Sequence, residues 1–232
     1  MKIALLGYGK MGNVIARIAA ERGHEIVLRK KAEDNFDGLQ DADVAIEFSV
    51  PTAAVTNITE CLNNNIPVVS GTTGWLAHYD EVTQLCETKK GAFIYASNFS
   101  LGVNIFFELN VQLAKMMSKL ERYNVSMEEI HHTQKLDAPS GTAITLANDI
   151  IANTNYINWA IENPKETDIF IDAKREENVP GTHTVNYVSD VDSIEIKHTA
   201  HSREGFALGA VVAAEWLTGK TGVYSMKDVL GI

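Results

Sequence analysis

A glycine loop near the start of the chain constrains its fold more than any other feature. The apolar run 2–6 leads directly into Gly7-Tyr8-Gly9-Lys10-Met11-Gly12, after which apolar residues recur at helical spacing. A glycine turn between a strand and a helix brings backbone N–H groups and the helix N-terminus against a pyrophosphate. A second apolar run at 25–28 completes a βαβ unit. The sequence therefore predicts a dinucleotide site at 7–12; a glycine turn without a ligand is the alternative.

Basic residues follow the second predicted strand. In NAD-binding sites of this kind an acidic residue stands there and accepts hydrogen bonds from the ribose 2′-hydroxyl. This chain has Arg29-Lys30-Lys31 instead. Guanidinium and ammonium groups suit a 2′-phosphate, so we expect NADPH as the cofactor, with NADH possible. The alternative is a solvated basic loop.

Three further apolar runs, 43–49, 66–70 and 92–95, predict more strands of an α/β fold with a parallel sheet. Ligands of such sheets bind at the carboxyl ends of the strands. The turn Gly71-Thr72-Thr73 and the turn Ala96-Ser97-Asn98-Phe99 stand at two of these ends. Both are predicted to contact the cofactor; ordinary turns are the alternative.

A polar run at 129–142 precedes a helical pattern at 143–152. Ser140 or Thr142 can cap that helix, whose free N–H groups bind carboxylate or phosphate. Lys135 adds a positive charge, and a histidine transfers protons near neutral pH. Neighbouring side chains of an extended segment point to opposite sides, so only one of His131 and His132 faces a given reacting atom. The run predicts a proton donor beside a site for an anionic substrate.

Composition excludes several other classes of protein. The formal net charge is -10, which disfavours a nucleic-acid partner. No run approaches the roughly 20 apolar residues of a membrane span, and the first apolar run is too short for a signal peptide. We therefore expect a cytoplasmic protein. Cys61 and Cys86 show no metal-ligand spacing and are predicted to be buried thiols, so no metal site is expected.

The run Glu129-Ile-His-His-Thr-Gln-Lys-Leu-Asp-Ala-Pro-Ser-Gly-Thr-Ala143 resembles the signature of the 4-hydroxy-tetrahydrodipicolinate reductases, also called dihydrodipicolinate reductases. The resemblance extends along the chain through 7–12, 71–74, 96–104, 198–210 and 222–230. Two departures stand out: the glycine loop is one residue shorter than the family's common form, and Arg29-Lys30-Lys31 replaces the usual acidic residue. The segment 152–179 contains no motif that we can assign.

The resemblance implies an α/β fold in which an N-terminal Rossmann-type parallel-sheet domain is joined to a central mixed α/β domain. It assigns 1–101 with 206–232 to dinucleotide binding, and 102–205 to substrate binding and tetramerisation. It implies a homotetramer and a small dicarboxylate substrate. The reaction would be the NAD(P)H-dependent reduction of 4-hydroxy-tetrahydrodipicolinate, via dihydrodipicolinate, to tetrahydrodipicolinate in lysine and diaminopimelate biosynthesis.

The resemblance also assigns residues to the site. His131 matches the proton donor and Lys135 the second catalytic group. The expected substrate-binding residues are His132, Ser140, Gly141 and Thr142, with Arg203 as a weaker candidate. The expected cofactor-binding residues are Gly7, Tyr8, Gly9, Lys10, Met11, Gly12, Arg29, Lys30, Gly71, Thr72, Thr73, Ala96, Ser97, Asn98 and Phe99. Rival classes are an NADPH-sensing regulator, and a homoserine-type or aspartate-semialdehyde-type dehydrogenase, the last with a catalytic cysteine.

Overall fold

The chain divides into two compact units in a computed structural model that describes residues 1–202 and 204–232. The first unit comprises Met1–Leu101 and Glu204–Ile232, and the second Gly102–Arg203. Arg203, the weaker candidate for a substrate contact, lies outside the described residues. Among the described residues, no helix has the length and the apolar content needed to cross a membrane.

Strands and helices alternate through the first half of the chain, and strands dominate the second half. The elements are β1 (Lys2–Leu6), α1 (Lys10–Glu21), β2 (Glu25–Lys30), β3 (Val44–Glu47), α2 (Pro51–Asn63), β4 (Val68–Ser70), α3 (Tyr79–Lys89), β5 (Ala92–Tyr95), α4 (Leu101–Met117), β6 (Asn124–His131), α5 (Gly141–Ile151), β7 (Asn158–Ala160), β8 (Asp168–Arg175), β9 (Gly181–Val188), β10 (Ser193–Ala200), α6 (Glu204–Leu217), β11 (Gly222–Tyr224) and α7 (Met226–Leu230).

The first unit is built on a six-stranded parallel sheet in the order β11-β5-β4-β3-β1-β2. Its central strands are buried on both faces, as their unbroken apolar sequences require. Helices α1 and α6 pack against one face, and α2 and α3 against the other. This arrangement is the Rossmann-type layer structure that the glycine loop predicted, completed by elements from 204–232.

The second unit contains a five-stranded mixed sheet in the order β10-β9-β6-β8-β7. β6 lies at its centre and pairs parallel with β8 and antiparallel with β9. Helices α4 and α5 pack on one face of this sheet, where their apolar side chains meet those of β6, β8 and β9. The predicted fold class, a parallel-sheet α/β unit together with a mixed α/β unit, is confirmed.

The central strand of the second unit is longer than the sequence pattern indicated. The alternation of residues 123–127 in the sequence predicts a strand that ends there. The observed β6 continues to His131. Its buried face carries Val125, Met127, Glu129 and His131. A carboxylate on a core face breaks the apolar pattern, and this is why the pattern ended too early. The strand therefore holds Glu129 and His131 two residues apart on one buried face.

Candidate active site

The glycine loop joins β1 to α1 and leaves the start of the helix open. The amides of Gly7 and Tyr8 donate to the carbonyl of Lys30 at 2.9 and 3.0 Å. Gly7 has a φ of +106°, and a Cβ there would lie 2.1 Å from the carbonyl oxygen of Phe48, so only glycine fits. A Cβ on Gly9, the residue before α1, would meet no atom within 4 Å. The first N–H groups of α1 thus border open space, as phosphate binding requires.

A cavity of about 270 Å³ adjoins this loop. Its lining comes from the glycine loop, the end of β2 and the start of α2. The lining residues are Gly7, Tyr8, Gly9, Lys30, Lys31, Ala32, Phe48, Ser49, Val50, Ala53 and Asn57. The position and the size of the cavity fit part of a dinucleotide at the carboxyl edge of a parallel sheet.

The three basic residues after β2 have different surroundings. The guanidinium of the exposed Arg29 lies 5.8 Å from the ring centroid of Tyr8. The Lys30 side chain is buried: its Nζ lies 4.8 Å from the ring centroid of Phe36 and donates to the carbonyl of Lys31 at 3.2 Å. Lys31, outside the predicted set, is exposed and lines the cavity. Of the three, Lys31 is the one that both lines the cavity and is exposed, whereas Lys30 lines it with a buried side chain and Arg29 lies over Tyr8, which lines it.

A fully buried carboxylate, Glu47, holds the neighbouring strand ends together. The hydroxyl groups of Ser70 and Thr72 donate to it at 2.7 and 2.8 Å. The Ser49 hydroxyl also donates to Glu47, and the Ser49 amide donates to Glu47 at 3.1 Å and to the Thr72 hydroxyl at 2.8 Å. No role is predicted for Glu47 from the sequence, although an acidic residue at the end of an apolar strand is a visible signal.

The two predicted cofactor turns are only partly available to a ligand. Thr72 is buried and its hydroxyl is engaged by Glu47, whereas Thr73 is exposed. Phe99 is buried in the core of the first unit, with its ring 5.7 Å from that of Phe48. Ser97 is exposed, while Ala96 and Asn98 are half-buried. Of the remaining loop residues, Lys10 is exposed, Met11 half-buried and Gly12 buried.

In the second unit, Glu129 is wholly buried among hydrogen-bond donors and positive charges. The Ser140 amide lies 3.1 Å from both of its carboxylate oxygens. Nδ1 of His131 and Nε2 of His183 each lie 3.6 Å from Oε2. The Arg175 guanidinium approaches Oε1 at 3.4 Å. Burial alone would raise the pKa of Glu129, but the donors of His183 and Ser140 and the nearby His131 lower it to about 2.

His131 is the last residue of β6 and is also buried. Its Nδ1 is inaccessible to solvent and has no hydrogen-bond partner within the described part of the chain, although it faces Glu129. Its ring meets that of His183 edge to face, with centroids 5.0 Å apart. Burial lowers the pKa of His131 to about 4, because the opposing effect of Glu129 does not outweigh desolvation and the neighbouring His183, Lys135 and Arg175. At neutral pH the imidazole is therefore uncharged.

The start of α5 lies beside this pair. The Ser140 hydroxyl accepts from the amide of Ala143 at 3.2 Å, which makes Ser140 the cap of the helix, one of the two predicted choices. The same hydroxyl lies 3.0 Å from Nε2 of His183. Gly141 is exposed and Thr142 half-exposed, and a Cβ on Gly141 would meet no atom within 4 Å. The helix start therefore presents backbone N–H groups to open space.

His132 points away from this cluster and lines a separate cavity of about 440 Å³. The other residues of that cavity come from the loop after β6 and the loop before β9. They are Thr133, Gln134, Glu177, Asn178, Val179 and Pro180. The structure thus separates the surroundings of the two adjacent histidines, as expected for an extended segment.

Lys135 forms an ion pair within its own loop. Its Nζ donates to both carboxylate oxygens of Asp137, at 2.9 and 2.7 Å, which lowers the pKa of Asp137. Arg175, at the end of β8, donates to the carbonyl groups of Lys135 and Asp137 at 3.3 and 2.6 Å. It thereby ties the loop to the buried Glu129. Arg175 belongs to the segment 152–179 and His183 to β9, and the sequence analysis assigned neither of them a role.

Glu129, His131 and His183 hold their ligand-type atoms within 4.8 Å of one another, a spacing also seen at metal centres. The carboxylate, however, is already surrounded by the Ser140 amide and the Arg175 guanidinium. A positive guanidinium in the same shell opposes a cation. The geometry fits a hydrogen-bonded proton-transfer cluster better than a metal site.

Both cysteines are free and fully buried, as predicted. Burial raises the pKa of the Cys86 thiol to about 11, and the pKa of Cys61 is raised further by burial and by the nearby Glu47. A catalytic cysteine must be accessible and ionised. Neither thiol meets this condition, which excludes the chemistry of the aspartate-semialdehyde-type rival.

The glycine loop on a parallel sheet, with a buried cluster of two histidines and a carboxylate on a separate mixed sheet, is the arrangement of a nicotinamide-dependent oxidoreductase. The family profiles described as Dihydrodipicolinate reductase, N-terminus, and Dihydrodipicolinate reductase, C-terminus, match residues 1–99 and 102–230. The chain belongs to the dihydrodipicolinate reductase family, as its sequence predicted.

Individual relatives agree with this assignment. The 4-hydroxy-tetrahydrodipicolinate reductase of Christiangramia forsetii is 60% identical over 233 residues, covering 99% of this chain and 98% of the relative. That of Methanosarcina mazei is 35% identical and covers 97% of this chain and 83% of the relative. A solved structure, dipicolinate-bound dihydrodipicolinate reductase from Paenisporosarcina sp. TG-14, has the same fold, with a TM-score of 0.77 at 22% identity over 97% of each chain.

Replacing Glu47 tests its role at the strand ends. Glu47→Ala leaves the hydroxyl donors of Ser49, Ser70 and Thr72 without their buried acceptor, so we expect the free energy of unfolding to fall by about 2–4 kcal/mol. Chemical denaturation measures this difference. Glu87→Ala, an exposed glutamate of α3 in the same unit, should change it by less than about 0.5 kcal/mol. Equal effects of the two substitutions would contradict the role.

Acid should destabilise the second unit in two stages. The folded pKa of His131 lies below its ordinary 6.5, so the unfolded chain binds a proton first and stability falls between pH 6.5 and about 4. The folded pKa of Glu129 lies below 4.5, so a further loss follows between pH 4.5 and about 2. Chemical denaturation at several pH values measures this loss. Between pH 7 and 4, the free energy of unfolding of His131→Gln should fall by roughly 3 kcal/mol less than that of the wild type. Identical losses would contradict the buried neutral histidine.

Proposed function

We propose that this protein reduces 4-hydroxy-tetrahydrodipicolinate, via dihydrodipicolinate, to tetrahydrodipicolinate in lysine and diaminopimelate biosynthesis, with NADPH as the preferred cofactor. The observation that carries the proposal is the position of His131, at the end of β6 against the buried Glu129, whose carboxylate also accepts from the amide of Ser140, the cap of α5. This position supports a role for His131 as a proton donor beside a binding site for carboxylates. The named relatives are reductases of this substrate, and the solved neighbour holds the dicarboxylate dipicolinate.

The first unit, 1–101 with the C-terminal segment, would bind the cofactor. The open start of α1 would face the pyrophosphate. Lys31, which lines the cavity, and Arg29, which lies over Tyr8, would meet a 2′-phosphate. The Thr73 hydroxyl and the backbone at 96–98 stand at the carboxyl ends of β4 and β5, where the nicotinamide end would lie. When bound, reduced nicotinamide supplies a hydride.

The second unit would bind the substrate. The free N–H groups at the start of α5 suit one carboxylate, with the Thr142 hydroxyl beside them. The substrate-binding set that we propose is His132, Ser140, Gly141 and Thr142. Because Ser140 already donates its amide to Glu129, its part is to fix the helix start, whereas Gly141 and Thr142 offer the open donors.

Proton delivery would depend on a change in the charge of His131. In the substrate-free state burial keeps this imidazole neutral. A dianionic substrate beside it favours the imidazolium form, which can then protonate the substrate as the hydride arrives. Lys135 would supply a second positive charge once the substrate's carboxylates compete with Asp137 for its ammonium group.

We further propose a cytoplasmic homotetramer. In the described part of the second unit, α4 and α5 both pack on one face of the mixed sheet, and the other face carries exposed side chains such as Phe170 and Lys174. An uncovered sheet face of this kind is a surface for subunit contacts. Light scattering of the purified protein tests the assembly.

The reaction itself is tested by mixing the purified protein with NADPH and freshly generated dihydrodipicolinate and following the nicotinamide absorbance. We expect oxidation by the wild type. His131→Gln should lower kcat by about 100-fold or more, because it removes the proton donor, and should leave NADPH binding nearly unchanged. An inactive wild type would refute the function. Normal turnover in His131→Gln would refute the role of His131.

Cofactor preference is tested with the double variant Arg29→Ala/Lys31→Ala. Removing two charges that face the 2′-phosphate should lower kcat/KM for NADPH about 10- to 100-fold and change kcat/KM for NADH much less. Lys89→Ala, an exposed cation at the end of α3, is the matched control and should affect neither value. A wild type that favours NADH, or equal losses with both cofactors, would contradict the preference.

A further inference from the structure

The carboxylate of Glu129 and the Nδ1 of His131 face each other and are both buried from solvent. The two atoms are 3.6 Å apart, and Nδ1 is buried with no hydrogen-bond partner in the described part of the chain. A neutral imidazole carries its proton on either nitrogen. With the proton on Nδ1, the ring points a donor at a buried anion; with the proton on Nε2, it would point a lone pair at that anion. Electrostatics therefore favours the proton on Nδ1.

The other nitrogen of the ring is bordered by Gly181, the first residue of β9. A Cβ built on Gly181 would lie 3.2 Å from Nε2 and 3.3 Å from Cδ2 of His131. The absence of a side chain at this position keeps the surroundings of Nε2 clear. Nε2 is thus the nitrogen available for exchanging a proton with a bound molecule.

The carboxylate is held in place by groups on three other elements. Ser140 donates its amide from the start of α5, His183 contributes its ring from β9, and Arg175 approaches from β8. Sheet register places these residues: Glu129 pairs with His183 across β6 and β9, and His131 pairs with Arg175 across β6 and β8. Four elements thus converge on one carboxylate.

We propose that Glu129 is a positioning residue, which holds His131 with its proton on Nδ1 and stabilises the imidazolium form when a dianionic substrate is bound. This inference rests on the proposed function, since it concerns the proton donor of that reaction. Glu129 itself does not touch the reacting atoms. His183 and Ser140 keep the carboxylate in the orientation that Nδ1 requires.

The charges around the pair act in opposite directions. Glu129 favours the imidazolium form of His131, whereas His183, Lys135 and Arg175 oppose it. Asp137 neutralises Lys135, and His198 on β10 faces His183. The resulting balance keeps His131 neutral until further negative charge arrives. Removing the carboxylate leaves only opposing charges, so the imidazolium form becomes harder to reach.

Glu129→Gln tests the inference by kinetics. It keeps the size of the side chain and removes its charge. We expect kcat to fall roughly 10- to 100-fold, and the alkaline limb of the kcat profile to move to lower pH, because a general acid must be protonated to act. KM and NADPH binding should change little. An unchanged alkaline limb together with an unchanged kcat would overturn the proposal.

Glu128→Gln is the matched control. Glu128 precedes Glu129 on β6, points to the opposite face of the sheet and pairs with Lys174 of β8. The substitution removes the same charge from the same strand without touching His131. It should leave kcat and the alkaline limb as in the wild type, with the assembly state checked for each variant. If Glu128→Gln moved the alkaline limb as far as Glu129→Gln does, the effect would come from overall charge, and the proposal would be overturned.

A second measurement does not depend on turnover. Histidine labelled with 15N in the substrate-free wild type reports the tautomer of each ring, and the signals of His131 are identified by their loss in His131→Gln. We expect Nδ1 to carry the proton. A proton on Nε2 would overturn the inference even in an active enzyme. Conversely, a wild type that does not oxidise NADPH while Nδ1 is protonated would refute the proposed function and leave the pairing of Glu129 with His131 standing.

Discussion

The carboxylate of Glu129 is fully buried, and several elements of the second unit converge on it. A buried carboxylate is stable only when donors and positive charges replace its hydration. Here they come from the cap of α5, from β8 and from β9, so that the helix start, the loop of Lys135 and the central strand are held in one geometry. The first unit contains a similar arrangement at Glu47, a second buried carboxylate that accepts hydrogen bonds from hydroxyl groups at neighbouring strand ends. In both units the acidic residue lies at or near the end of a strand, where ligand-binding loops begin.

The parts of the structure that depend on local sequence could be predicted. The glycine loop, the helix after it and the cap at Ser140 are each determined by residues a few positions apart. The surroundings of His131 could not be predicted, because Glu129 meets Arg175 and His183 only after β6 pairs with β8 and β9. Register decides such contacts, and a single sequence does not reveal register. The polar residue in the middle of β6 signalled a special role, but its partners lay 46 and 54 positions away.

In the proposed reaction, the neutral state of His131 means that the substrate binds before the imidazole is protonated. A histidine that is charged before the substrate arrives would attract any anion and would need strong pairing to remain buried. In the proposed reaction, keeping His131 neutral by burial would couple its protonation to the arrival of the dianion that receives the proton. The positive charges of Arg175 and Lys135 oppose protonation of His131 in the absence of substrate. Arg175 is itself held by Glu129, and Lys135 by Asp137. The same residues therefore hold the loop in place and influence the acid.

The first unit is assembled from two segments separated by the whole of the second. β11 forms one edge of its sheet beside β5, and α6 supplies Ala207, Val211 and Leu217 to its core. During synthesis the ribosome releases the complete second unit before either of these elements emerges. Residues 1–101 are made first, but until then their sheet lacks the edge strand β11 and the face covered by α1 lacks α6. The nucleotide-binding half of this protein is therefore begun first and finished last.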